Sequence, residues 1–170
     1  MKPDINTIPA FYQNYVKLVT EDKVLDALKN SSKELMTFLD RLTEEQGSYA
    51  YAEGKWSIKV LLMHMMDAER IFAYRALRFS RNDRSSLPGF DEQAYAYQAN
   101  AEEQTLAGLI QMMQHLRQTT IDLYQTFTEE MLLRTGFANN YEVSVNALGF
   151  IIAGHERHHL GIIKSRYFPS

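Results

Sequence analysis

The chain has 170 residues, 45% of them hydrophobic, with a formal net charge of −3 and no cysteine. That length and apolar share suffice for one domain over 1–170 with its own core, and the scatter of Lys and Arg among acids excludes a nucleic-acid binder, which needs a basic face. Without cysteine there are no disulfides, thiolate nucleophiles or Cys-based zinc sites; with no signal-peptide pattern and no apolar run of about 18 residues, a cytoplasmic protein with no membrane span is expected.

The prolines fall at positions 3, 9, 88 and 169, so two long stretches of chain are free of the strongest helix breaker. Ile8 to Val19 reads as a short amphipathic segment carrying Phe11, Tyr12 and Tyr15. A long helix follows, with Leu25, Leu28, Ser32, Leu35, Leu39 and Leu42 at alternating spacings of three and four; Thr20 or Asp22 is placed to cap it. After Thr43 the pattern dissolves into EEQGSYAYAEGK, a linker whose Gly47 and Gly54 argue against continuous helix.

Ser57 opens the second long helix as its N-cap, and Trp56 is set to pack on Leu61 as a hydrophobic staple. Its inward stripe is Leu61, His64, Ala68, Ile71 and Arg75, ending at the polar turn SRNDRSSLPGF. Asp91 to Tyr97 reads as a short helical segment. A third long helix is expected from Asn100, with Glu103 completing a capping pair, and a stripe of Leu106, Leu109, Met113, Leu116, Thr120, Leu123 and Phe127. Thr128-Glu129-Glu130 starts one more turn, ANNYEV is a loop, and a last helix runs over about 144–167. Four long amphipathic helices with short accessory segments make an all-α four-helix bundle.

The last helix holds the chemistry. Leu148, Ile152, His155, His159 and Ile162 share one face, so two imidazoles lie one turn apart on a core-facing stripe. A buried polar group without a partner costs a few kcal/mol, and a metal ion satisfies both rings. The residues His155, Glu156 and His159 form a literal HExxH, yet only eleven residues follow and none is His, Asp or Glu. The zinc-protease reading therefore fails for want of a third ligand. A di-iron site fails too: Glu156 to His159 is one Glu-x-x-His pair, and no other helix supplies a second.

The third ligand must come from another helix, and His64, the other histidine on an inward stripe, is the candidate. Helix axes in a bundle lie roughly 8–10 Å apart, close enough for three inward imidazoles to meet. Three histidines with one open position match catalytic zinc, and nickel, iron or manganese suits the same ligands. Asp67, one turn beyond His64, and Glu156 are the candidate base or ring-orienting carboxylates. Each has a plainer alternative: a surface ion pair of Asp67 with Arg70 or Arg75, and a solvated face for Glu156. His158 is expected to point sideways and His115 to lie on the surface.

The order EGKWS, His64 within LLMHMMDAER, LPGFDE, then AGHERHH followed by Ile163 and Arg166-Tyr167 resembles the DinB-like (DNA-damage-inducible) four-helix-bundle superfamily, from about Tyr12 to Tyr167. The resemblance implies up-down-down-up topology and one divalent metal on three histidines, which map onto His64, His155 and His159. It also implies a transferase or isomerase that uses a small thiol such as bacillithiol, mycothiol or glutathione in detoxification or the stress response, and a homodimer. On that basis the expected function is metal-dependent transfer to a low-molecular-weight thiol acting on a small-molecule substrate. The alternatives are a hydrolase with an activated water and a non-enzymatic metal-binding protein. Tyr95, Tyr97 and Arg75 are the expected walls of the substrate cavity.

Overall fold

The computed structural model describes residues 1–169. Its elements are α1 (Ala10–Lys17), α2 (Val24–Leu39), α3 (Glu44–Gly47), α4 (Ile58–Ser80), α5 (Glu92–Gln98), α6 (Leu106–Gln125), α7 (Glu129–Leu133), the hairpin β1 (Thr135–Ala138) and β2 (Tyr141–Ser144), and α8 (Val145–Ile162). One π-helical turn, Ile163–Tyr167, extends α8. The four long helices α2, α4, α6 and α8 are the bundle.

Apolar burial divides along the bundle axis into two clusters. One joins Val24 and Leu28 of α2 with Phe72 and Phe79 of α4, Ile121 and Tyr124 of α6, and Leu148 and Ile151 of α8. The other joins Leu35 and Leu39 with Leu61 and Leu62, Leu106 and Leu109, and Leu160 and Ile163. Each helix thus contributes its start to one end and its finish to the other, which fixes the directions. The starts of α2 and α8 share an end with the finishes of α4 and α6, so the order is up, down, down, up. A parallel α4 and α6 cannot be joined by a tight turn. The chain must return the length of the bundle, and residues 81–105 form that crossover.

Local chemistry explains where the elements begin. Ser57 caps α4 as the sequence indicates, its Oγ accepting from the Val60 amide at 3.2 Å. Neither Thr20 nor Asp22 caps α2; Lys23 occupies that position without a side-chain bond. Asn100 does not cap α6 either. It sits in the left-handed region (φ 51°) ahead of a 3-10 turn, and Thr105 is the cap, accepting from Gly108 at 3.1 Å. The stretch after Thr43 holds a helical turn closed by a Thr43–Gln46 capping box. Glu44 from this turn accepts from the Leu106 amide (2.8 Å), a carboxylate at the start of α6 where free N–H groups favour it.

The ANNYEV segment is part of a β-hairpin rather than a plain loop, paired Thr135↔Ser144 through Ala138↔Tyr141. Its turn residues Asn139 (φ 51°) and Asn140 (φ 65°) are both left-handed, the conformation that two-residue hairpin turns require and that asparagine tolerates. Leu87 of the crossover bonds to this hairpin, its amide to the Phe137 carbonyl at 2.9 Å. No helix among the described residues is long and apolar enough to cross a membrane.

Candidate metal centre

Helix α8 is buried almost all round over its first three turns, because α1, α2 and α4 pack against it. Gly154 makes the closest of these approaches possible: a Cβ there would overlap the Tyr15 carbonyl of α1. Any polar side chain in this stretch needs an internal partner. His155, Glu156 and His159 are such side chains, at 5%, 3% and 8% exposure.

The structure brings His64 of α4 to both histidines of α8. Its Nε2 lies 3.2 Å from Nε2 of His155, which lies 2.9 Å from Nε2 of His159. All three ligand atoms fall within 4.8 Å of one another. Three imidazoles at about 2.0–2.1 Å from a tetrahedral ion have nitrogens roughly 3.3 Å apart, so the separations seen are close to that spacing. Burial keeps the rings neutral with lone pairs free. It lowers His64 to about 4 and, with His64 and His158 adding, His159 to about 3. His155 is pushed well below its ordinary value by burial first and then by its histidine neighbours.

Nδ1 of His159 is buried with no hydrogen-bond partner. Ligating histidines usually donate that N–H to a carboxylate or carbonyl, so here only what Nε2 faces can set the ring's tautomer. Three converging neutral nitrogens fit a divalent cation, and no fourth His, Cys, Asp or Glu among the described residues joins the group. Trp56 packs its indole against the His64 ring (5.0 Å between centroids), and with Leu61 it lines a cleft ending at His159. Tyr15 packs edge-on against both His155 (5.2 Å) and the half-buried His158 (5.1 Å). His115 is exposed, as its sequence neighbours indicate.

The two carboxylates read from the sequence are both engaged elsewhere. Asp67 is half-buried and pairs with Arg70 at 3.0 Å. Glu156 is not on a solvated face; it turns into the bundle and accepts from Arg117 Nη1 at 2.7 Å. Arg117 also binds Glu69 through Nε and Nη2, both at 2.9 Å, and donates to the Leu28 carbonyl (2.8 Å) and Ser31 Oγ (3.1 Å). One guanidinium from α6 thereby fastens α2, α4 and α8. Burial raises the Glu156 carboxyl, and the Arg117 charge opposes that shift. Sequence reasoning missed Arg117 and Glu69, whose only signal is their position on the inner faces of α6 and α4.

Besides a cavity of about 10 Å³ between Glu69, Arg117, Glu156 and His155, two larger clefts reach the histidines. One, about 210 Å³, runs between α1, α4 and the crossover and is lined by Tyr12, Tyr15, Phe72, Arg75, Glu92 and His155. The other, about 230 Å³, is lined by Trp56, Leu61, Gln93, His159, Ile162 and Tyr167. Arg75 is a wall as expected. Tyr95 and Tyr97 are not: they are 48% and 87% exposed on α5 and line neither cleft.

Residues 27–163 match the DinB superfamily. This chain belongs to the DinB superfamily. Among its relatives is a protein of Oceanobacillus iheyensis named "Putative metal-dependent hydrolase", 30% identical over 158 residues that cover 87% of this chain and 90% of that one. A second, the "Putative metal-dependent hydrolase YfiT" of Bacillus subtilis, is 21% identical over 84% of this chain and 82% of its own length. The solved structure of YfiT, described as a probable metal-dependent hydrolase with an unusual four-helix bundle topology, superposes with a TM-score of 0.69 at 19% identity. The superposition covers 96% of this chain and 90% of that one. At that identity the superposition speaks for the fold alone, a four-helix bundle.

Proposed function

We propose that this DinB protein is a metal-dependent transferase: His64, His155 and His159 would hold one divalent ion, and a low-molecular-weight thiol forms a carbon–sulfur bond to a small electrophile beside it as the bond to the leaving group breaks and the thiol proton passes to solvent. The observation that supports the reading is a pair of separate clefts, one lined by His155 and the other by His159, which gives room for two substrates. A divalent ion held by the three imidazoles would supply Lewis acidity, lowering the pKa of a thiol or water bound to it. The protein's own groups then position and exclude. Trp56 and Tyr15 shield the rings from solvent, and Tyr12 and Arg75 offer hydrogen bonds in the more polar cleft. Glu156 and Asp67 both pair with arginines and neither joins the histidine cluster. A thiol, with a pKa near 8.5 before activation, has less need of a base than water does.

A second reading, hydrolysis by an activated water, is favoured by Glu92. This carboxylate lines the cleft over His155, and burial followed by the nearby Asp91 charge raises its pKa, as a general base near neutral pH requires. The names of the Oceanobacillus and Bacillus relatives support the same alternative.

Elemental analysis of protein purified without a histidine tag tests the centre: one ion per chain is expected in the wild type, and none in His159→Ala that keeps its helical spectrum. Full metal content in that variant removes the ligand assignment. Turnover of electrophiles with and without added thiols then separates the readings. Metal-dependent product that requires the thiol supports transfer; equal product without it supports hydrolysis.

A further inference from the structure

We propose that the cleft over His155 is a carboxylate-binding subsite, with Arg75 as the cation that anchors the substrate. The inference rests on the metal-centre reading for where the reacting end of that substrate lies.

Three arginines are drawn into the body of the protein, and two of them are fully matched by acids. Arg117 pairs with Glu69 and Glu156, and Arg157 with Glu21 and Glu34. Arg75 is as buried as Arg117, each 3% exposed, yet it pairs with no Asp or Glu among the described residues. Its Nη2 donates to the Pro88 carbonyl (2.8 Å), its guanidinium lies 5.7 Å from the Phe72 ring centre, and Tyr12 is a hydrogen-bond neighbour. A buried guanidinium offers five N–H donors and a full charge, and one carbonyl with one phenol leaves most of that unanswered. Fastening the Pro88 turn would need only a neutral donor.

Arg75 lines the cleft that ends at His155. Arg75 stands eleven residues beyond His64 on α4, close to three turns at about 3.6 residues each, and so on the same face. Long side chains on a helix tend to lean back toward its start, which for Arg75 is the direction of His64. An anion on Arg75 would therefore belong to a molecule whose other end reaches the metal centre across the Phe72 and Tyr15 rings. Charge limits the anion. Arg75 and Glu92, the latter on the exposed side, are the charged residues lining this cleft and they offset each other. A second negative charge on the ligand, as in a phosphate monoester, is therefore disfavoured, and a monoanion seated directly on the guanidinium is preferred. A planar carboxylate also accepts the forked geometry of a guanidinium. The substrate class is thus a small aromatic or aliphatic carboxylate, with the reacting group several atoms from the carboxyl.

Benzoate and its neutral isostere benzamide probe the subsite by calorimetric titration of chelator-treated protein, so that no metal competes for the carboxylate. Benzoate is expected to bind about tenfold or more tightly than benzamide, the difference that charge-assisted hydrogen bonds make. Arg75→Gln should lose that preference, and Arg75→Lys, which keeps the charge but not the fork, should fall between. Equal affinity for the two probes, no benzoate binding to the wild type, or unchanged benzoate binding in Arg75→Lys would overturn the proposal. Should Arg75→Gln fail to fold, the wild-type comparison and Arg75→Lys decide alone. Metal uptake measured on the same samples keeps the two readings apart: an ion without benzoate binding sinks only the subsite, and benzoate binding without an ion sinks only the metal centre.

Discussion

Arg117 shows how much one side chain can hold. Its guanidinium touches a carbonyl and a hydroxyl of α2, Glu69 of α4 and Glu156 of α8, all in the interior. Arg117→Leu would leave two carboxylates buried and unpaired, so a loss of about 3–5 kcal/mol in urea unfolding is expected. A loss below about 1 kcal/mol would mean that water or a rearranged partner reaches Glu69 and Glu156. The imidazoles set the pH response. Their folded pKa values lie below the ordinary 6.5, at about 4 for His64 and about 3 for His159. Above pH 6.5 neither the folded nor the unfolded chain protonates them, and they add nothing. Below it the unfolded chain takes up protons that the buried rings refuse, so stability falls as pH drops toward those folded values. Metal-free protein should therefore lose urea midpoint steadily from about pH 6.5 to 4, at up to about 1.4 kcal/mol per pH unit for each ring. His64→Gln should make the decline shallower.

The helices and the centre they carry were unequally legible. Leucines spaced by threes and fours announce α2, α4, α6 and α8, and two histidines four apart on an apolar face announce a shared partner. Arg117 did not show, because the stripe through Met113 and Thr120 takes Leu116 and Leu123 as its other members, each one residue short of the buried Arg117 and Tyr124. A charge is placed inward only by partners, and those lie 48 and 39 residues away in sequence. The start of α6 was misread for a related reason: Asn100 has the right chemistry for a cap, but its backbone is left-handed and Thr105 does the capping. At this scale Gly154 is the sharpest test. Gly154→Ala would force α1 away from α8, since the added carbon meets backbone rather than a yielding side chain. A marked drop in unfolding midpoint is expected, with faster proteolysis within residues 10–17 as Tyr15 leaves His155. An unchanged midpoint would show that α1 is not seated against α8 as described.

Taken whole, the molecule is a rigid bundle with a lightly held crossover. Of α5, only Ala96 is buried, and the neighbouring 3-10 turn buries only Ala101. The segment is otherwise tied by the Leu87 bridge to the hairpin, the Arg75–Pro88 bond and a Ser57–Glu102 hydrogen bond of 2.6 Å. Stability is uneven across such a structure, and segments with few apolar contacts open first. Backbone amides of 92–103 should exchange with solvent at least about a hundredfold faster than those of 61–68 and 148–156. Comparable protection would mean that the crossover opens only with the bundle.

That crossover exists because α4 and α6 run the same way, and it supplies Glu92 to one cleft and Gln93 to the other. The helices that bring the three histidines together and the crossover that lines the clefts are thus separate pieces of chain, free to change at different rates. A handful of substitutions in the strap could redirect the protein to another class of compound while every imidazole stayed in place. Two cousins with the same three histidines need not share a reaction, and the place to look for the difference is the strap.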